Sequence, residues 1–404
     1  MRENSLLFGL NSVKSTTITD FNNITLYCFS GDICGIAYDI FGNIVLLNRG
    51  DKHWDASTFN WQNQYKKDKN EPIEQDTVVT INATGHVISS WGRDFFFLPH
   101  MVTIDAENNV WITDVAMHQV FKFGPYGGPN KKPLVELGTK FEPGADDRHY
   151  CKPTSVAVMS DSRTFFVSDG YCNQRIIKYV IRKIEANGYH SVVKLKSFGA
   201  SNIPYQTNYN PKVYNFQVPH ALALFEDSQL ICVADRENSV VQCFNSDDGT
   251  HKKTINTIES NSKIYSISSA QSQLAVIMGP NAQSKSKLFL HDMNSDESVE
   301  AEMEAGSDFV HNPHDVSMTP DGQHVVLANL NPPEVWLFTN QSGHRFGKGF
   351  VEPVVSESRE KMQQKILSPR RNEESQSPWS VLLLMIVFTT GGTMILYYIS
   401  KYFT

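Results

Sequence analysis

Pro219-His220-Ala221-Leu222-Ala223-Leu224, Leu230-Ile231-Cys232-Val233-Ala234-Asp235 and Val240-Val241-Gln242-Cys243-Phe244 follow one another within a stretch of 26 residues. Each run has strand length and is largely apolar, with β-branched and aromatic residues, and polar turns such as Glu237-Asn238 separate them. The unit therefore reads as antiparallel strands rather than helix. It recurs along the chain. One copy covers 35–39 and 44–49, with a turn at Gly42-Asn43. A second covers 100–105, 110–114 and 120–123, with a turn at Asn108-Asn109. A third covers 155–158, 165–169 and 176–179. After the copy quoted above, a degraded fifth covers 265–268 and 274–277, and a sixth covers 314–318, 324–329 and 335–338. Six copies at intervals of roughly 45–65 residues predict a propeller, in which each blade buries its faces against its neighbours around a central channel.

The predicted architecture is all-β: a six-bladed, NHL-like β-propeller over 31–344, preceded by a variable segment over 1–30. Residues 345–377 are charged, rich in Glu, Ser, Lys and Arg, and read as a disordered stalk. Trp379 to Ile399 carries no charge. About twenty apolar residues rising 1.5 Å each cross about 30 Å of hydrocarbon, so 378–400 is predicted to be one transmembrane helix, with a short tail over 401–404. Trp379, Tyr397, Tyr398 and Tyr402 sit where interfacial aromatics belong. The formal charge of −7, with no dense basic stretch outside the stalk, argues against a nucleic-acid partner. The start lacks the apolar core of a signal peptide, and a leader or upstream domain is expected to be missing from it.

Six cysteines allow a few staples. Cys232 and Cys243 are symmetric about Glu237-Asn238, and residues paired across a hairpin come close enough to bond. Cys151 lies just before the third copy and Cys172 lies in its Gly170-Tyr171-Cys172-Asn173 loop, at the same blade end. Cys28 and Cys34 either close a short loop or stay free. Two staples point to an oxidising compartment. Lys365, Arg370 and Arg371 before the apolar stretch, against Lys401 after it, would by themselves hold the large domain in the cytosol. The cysteines outweigh them and favour a luminal or extracellular domain. Sequons at Asn23, Asn82 and Asn340 then permit glycosylation.

Three Pro-His pairs open copies two, four and six: Pro99-His100, Pro219-His220 and Pro313-His314. Alternate blades of a six-fold ring lie about 120° apart by symmetry, so equivalent inner-loop positions converge on the axis. Copy three has Pro153-Thr154 there, keeping the proline without the ligand. Three histidines with an open position are a catalytic zinc pattern. Arg49, Arg236 and Tyr171 lie in loops beside these positions. Two guanidiniums suit an anionic substrate, and a tyrosine near a cation loses its proton more easily and can serve as a base.

On these residues the chain resembles the peptidyl-α-hydroxyglycine α-amidating lyases over roughly 33–340. The resemblance is carried by Asn48-Arg49-Gly50-Asp51-Lys52-His53-Trp54-Asp55, Leu98-Pro99-His100, Thr113-Asp114-Val115-Ala116-Met117-His118-Gln119-Val120-Phe121, Ser168-Asp169-Gly170-Tyr171-Cys172-Asn173, Cys232-Val233-Ala234-Asp235-Arg236-Glu237-Asn238 and Pro313-His314-Asp315. It implies a zinc-dependent propeller that cleaves a C-terminal α-hydroxyglycine into a peptide amide and glyoxylate. Zinc would sit on His100, His220 and His314. Arg49 and Arg236 would bind the substrate carboxylate, and Tyr171 would be the base. A structural calcium would use the carbonyls of Ile36 and Val102 and the Asp315 carboxylate. The family's disulfides would fall on Cys151 with Cys172 and on Cys232 with Cys243. No copper monooxygenase half is present in the chain, so the hydroxylated peptide would come from a separate copper monooxygenase, in a secretory-pathway membrane. Two positions depart from the family pattern: Asn312, where methionine is usual, and Asn329, where aspartate is usual. Two other readings compete. One is a catalytically inactive NHL-type propeller that binds a peptide or protein partner. It would not need the histidines, Tyr171 and both arginines together. The other is a metal-dependent hydrolase or lactonase, whose axial ligands are carboxylates and Asn rather than histidines.

Overall fold

A computed structural model describes residues 15–17, 31–83, 85–128, 131–185, 188–199, 215–257, 262–305, 308–339, 388–390 and 393–395. Six four-stranded antiparallel sheets follow one another in chain order. Blade one is Ile33–Tyr38, Ile44–Asn48, Val78–Ile81 and Val87–Trp91. Blade two is Pro99–Ile104, Val110–Asp114, Gln119–Phe123 and Val135–Leu137. Blade three, with the longest strands, is Ser155–Val158, Thr164–Asp169, Arg175–Ile184 and His190–Phe198. Blade four is Pro219–Phe225, Leu230–Asp235, Val240–Asn245 and His251–Asn256. Blade five is Ile264–Ala270, Gln273–Met278, Lys287–Asp292 and Ser298–Glu302. Blade six takes Pro313–Met318, His324–Asn329 and Glu334–Thr339 from the end of the domain, and its outermost strand, Ser15–Thr17, from the start. Each innermost strand packs on the next, and that of blade six packs on that of blade one, which closes the ring. Closure leaves no exposed edge among the inner strands.

The second strands are buried along nearly all their length because both faces of a blade meet a neighbour. Val110–Asp114, Gln273–Met278 and Ile44–Asn48 hold buried residues at every position. Between blades the contacts are apolar. Trp111, Phe165, Val167, Ile177 and Tyr179 form one such layer between blades two and three. One charge pair lies inside that interface. Lys122 Nζ is 3.2 Å from Asp105 Oδ2 and donates to the Ser162 carbonyl, while Trp111 Nε1 also donates to Asp105 Oδ2. Both charged side chains are essentially sealed from solvent.

In blades two, three, four and six the loops at one end are held by the residue that closes the second strand. Asp114 Oδ2 accepts the N–H groups of Phe97 and Leu98, just before Pro99-His100. Asp169 Oδ1 accepts that of Cys151, two residues before Pro153, and Asp235 Oδ1 accepts that of Gln217, two before Pro219. In blade six Asn329 Oδ1 accepts the N–H of Asn312 at 2.8 Å. An amide oxygen thus does the work of the carboxylate, because only an acceptor is required. The Asn312 side chain donates to the Asn331 carbonyl.

Both predicted disulfides are formed, Cys151 with Cys172 and Cys232 with Cys243. Cys34 is a buried free thiol, and Cys28 lies outside the described residues. So does the stalk over 345–377. The predicted membrane helix lies mostly outside them too. Within its range two short strands are described, Phe388–Thr390 and Thr393–Ile395, paired with each other. Among the described residues no helix is long and apolar enough to cross a membrane.

Two substitutions test this framework. Lys122→Met leaves Asp105 buried without its cation and should cost about 3–5 kcal/mol. Urea unfolding followed by tryptophan fluorescence reads it. Asn329→Ala strips the acceptor from the Asn312 amide and should cost about 1–3 kcal/mol in the same measurement.

Candidate metal centre

The site grows out of a repeated irregularity in the inner strands. In blades one, four, five and six the pairing of first and second strands slips by one residue, at Cys34, His220, Tyr265 and His314. Blade two slips in the same place, between Pro99 and Val102. The extra residue of a β-bulge leaves the ladder and is re-aimed. At alternate blades that residue is a histidine. In the blades between them it is Cys34 and Tyr265, and in blade three Thr154 stands just before the strand.

The three histidines meet on the axis, buried. Their rings lie 4.7, 4.8 and 5.2 Å apart, and one ligand nitrogen from each falls within 4.8 Å of the others. Each ring is oriented by a carbonyl at the head of the next blade's inner strand. His100 Nδ1 is 2.8 Å from the Thr154 carbonyl and His314 Nδ1 is 2.7 Å from that of Cys34. His220 Nδ1 bonds the Tyr265 carbonyl in the same way. A carbonyl only accepts, so Nδ1 carries the hydrogen and Nε2 keeps its lone pair. Burial, first of all, holds the imidazoles far toward the neutral form, with His314 down at about 3. Three neutral imidazoles with converging lone pairs are the donor set that zinc takes.

Tyr171 lies against this cluster. Its hydroxyl is 3.0 Å from Nε2 of both His100 and His220. A metal would therefore compete with the phenol for the same two lone pairs. Arg236 Nη1 reaches the same hydroxyl at 3.5 Å, and its guanidinium lies over the rings of Tyr171 and Tyr265. Glu237 holds Arg236 at 2.7 Å. The sequence reading expects Tyr171 to ionise easily. In the metal-free chain burial pushes its pKa up, and the pull of Arg236 and Arg49 does not cancel that. Arg49 is buried behind the histidines. Its Nε donates to the Pro99 carbonyl, Nη1 is 3.8 Å from Asp32, and Nη2 has no partner. Arg49 and Arg236 occupy the same place in their blades, the first residue after the second strand. Trp54, from the long loop of blade one, packs its ring 4.8 Å from that of Tyr171. Sequence reasoning did not single out Trp54, Asp32 or the three carbonyls. Lining up the blades would have found the carbonyls, since their residues share the histidine position.

Ile36, Val102 and Asp315 all line the central cavity, which measures about 390 Å³. Asp315 is buried, and burial pushes its carboxyl up to about 7. Its oxygens accept from the Ile36 and Val316 N–H groups and the Ser266 hydroxyl. Ile36 thus meets Asp315 through its amide rather than its carbonyl. A buried carboxylate on a polar cavity fits a hard cation.

The NHL repeat family matches residues 216–244, the blade-four unit. "Peptidyl-alpha-hydroxyglycine alpha-amidating lyase 1" of Drosophila melanogaster is 40% identical over 334 residues, 80% of this chain and 58% of the relative. "Peptidyl-glycine alpha-amidating monooxygenase" of Mus musculus is 32% identical over 87% of this chain, which spans 35% of that relative. "Probable peptidyl-alpha-hydroxyglycine alpha-amidating lyase pgal-1" of Caenorhabditis elegans is 32% identical over 76% of this chain and 81% of its own length. Identity of 32% over 81% of a lyase of this name places the chain in the peptidyl-α-hydroxyglycine α-amidating lyase family.

Proposed function

We propose that the chain cleaves peptidyl-α-hydroxyglycine to a C-terminal peptide amide and glyoxylate, with zinc on His100, His220 and His314. The observation that carries this reading is the meeting of three neutral imidazoles with a buried guanidinium whose Nη2 is unpartnered. A cluster of that kind attracts an anion bearing a hydroxyl, which describes an α-hydroxyglycine carboxylate.

In the reaction the hydroxyl O–H breaks and its electrons form the aldehyde C=O. The bond from that carbon to the amide nitrogen breaks, and the nitrogen leaves with a proton as the peptide amide. Bound zinc would supply a Lewis acid that lowers the pKa of the substrate hydroxyl. Arg49 offers Nη2, and Arg236 a second guanidinium, to the carboxylate in paired hydrogen bonds. Tyr171 stands where a proton must move. With zinc bound beside it, Tyr171 would react as the phenolate: its oxygen takes the hydroxyl proton and gives it to the departing nitrogen, so the phenolate ends as it began. Trp54 and the Arg236 guanidinium face the Tyr171 ring and limit its motion.

The hydroxylated peptide would come from a copper monooxygenase on another chain. A calcium ion on the channel, near Asp315, Ile36 and Val102, would be structural. Two disulfides support a luminal or extracellular setting. The uncharged stretch 379–399 supports anchorage in a secretory-pathway membrane.

The zinc-loaded protein should release glyoxylate from an α-hydroxyglycine-extended peptide. Chelator treatment and His220→Ala should each abolish release, and added zinc should rescue the first only. Zinc-loaded wild type that works no faster than buffer would sink the reading. Tyr171→Phe keeps the ring and should lower kcat by about 10²–10⁴-fold. Arg49→Lys loses the paired hydrogen bonds and should lower kcat/KM by about 10²-fold. Steady-state kinetics separate these two effects.

A further inference from the structure

Cys34 and Thr154 occupy equivalent places in blades one and three, and they make the same two connections. The Cys34 carbonyl accepts from His314 Nδ1 of the preceding blade, and the Cys34 thiol donates to the Pro99 carbonyl of the following blade at 3.2 Å. The Thr154 carbonyl accepts from His100 Nδ1 of the preceding blade, and the Thr154 hydroxyl donates to the Pro219 carbonyl of the following blade at 2.8 Å. Pro99 and Pro219 are the residues immediately before His100 and His220. A peptide carbonyl held in place fixes the plane that carries the next residue's Cα, and with it the direction of the imidazole. One residue thus orients the ring of one histidine and helps to hold the backbone before another, a task that Arg49 Nε shares at the Pro99 carbonyl. Both side chains are wholly buried.

We infer that Cys34 and Thr154 are positioning residues of the metal centre, which join His314 to His100 and His100 to His220 through their short donor side chains. The inference rests on the metal reading of the histidines given above. Outer groups of this kind change metal affinity by about 10–100-fold when removed. Tyr265 supplies the third carbonyl, to His220, while its ring lies under Arg236.

The test loads metal-free full-length protein with Co²⁺. Affinity is read by competition with a chromophoric chelator and geometry by the visible ligand-field spectrum. Thr154→Val and Cys34→Ala should each weaken Co²⁺ binding by about 10–100-fold and alter the spectrum. Thr154→Ser and Cys34→Ser keep a donor and should stay within about threefold of wild type, which a purely volumetric role would not produce. Thr103→Val is the control. Its hydroxyl donates to the Val156 carbonyl across the same kind of blade junction, away from the histidine loops. It should leave affinity and spectrum unchanged. Thermal melting confirms that each variant is folded, and where Cys34→Ala does not fold, Thr154→Val decides. Wild-type affinity and spectrum in Thr154→Val overturn the inference, as does an equal loss in Thr103→Val. Wild type that takes up no Co²⁺ overturns the metal reading itself, and the inference with it.

Discussion

The hydrogen bond from each imidazole Nδ1 to the carbonyl at the head of the next blade's inner strand is the interaction on which the centre depends. A regular ladder would spend those carbonyls and N–H groups on strand pairing. One extra residue at the head of an inner strand frees a carbonyl and turns a side chain to the axis. Blades two, four and six give the side chains, and blades one, three and five give the carbonyls. The ring must be closed for this to work, because the donor and the acceptor always belong to different blades. Closure between blades six and one is therefore also the closure of the metal centre, through His314 and Cys34.

The electrostatics follow from the same arrangement. Three imidazoles kept neutral by burial carry no charge of their own. Arg49 and Arg236 add positive charge, and the carboxylates beside them, Asp32 and Glu237, stand on their outer sides. The middle of the site has guanidinium and lone pairs but no carboxylate. Such a place favours a cation on the nitrogens and an anion on the arginines at once. Tyr171, bonded to two of the three rings, is the proton-bearing group between them.

Much of this was legible in the chain because a repeat is a statement about geometry. The six strand groups, the alternation of His100, His220 and His314, and the pairing of Cys232 with Cys243 about Glu237-Asn238 all follow from period and symmetry. Asn329 looked like a departure, yet its amide oxygen serves where Asp114 and Asp235 use a carboxylate, so the loop before His314 is tied as the others are. Less legible was anything that depends on contact between blades. The Lys122 ammonium on the Ser162 carbonyl, the thiol of Cys34 on the Pro99 carbonyl and the packing of Trp54 on Tyr171 join residues with no common period. The outermost strand of blade six, drawn from Ser15–Thr17, lies in a short β-branched run that the repeat does not mark.

The sequence by itself determined the fold class and the candidate ligands, because strand periodicity and recurring Pro-His pairs are local properties that repetition makes visible. Only the tertiary structure decided which atoms face one another. Tautomers, the unpartnered Nη2 of Arg49, the raised pKa of Tyr171 and the amide that Ile36 turns to Asp315 are set by burial and by neighbours from other blades. Those neighbours are brought together by ring closure, which no local pattern encodes.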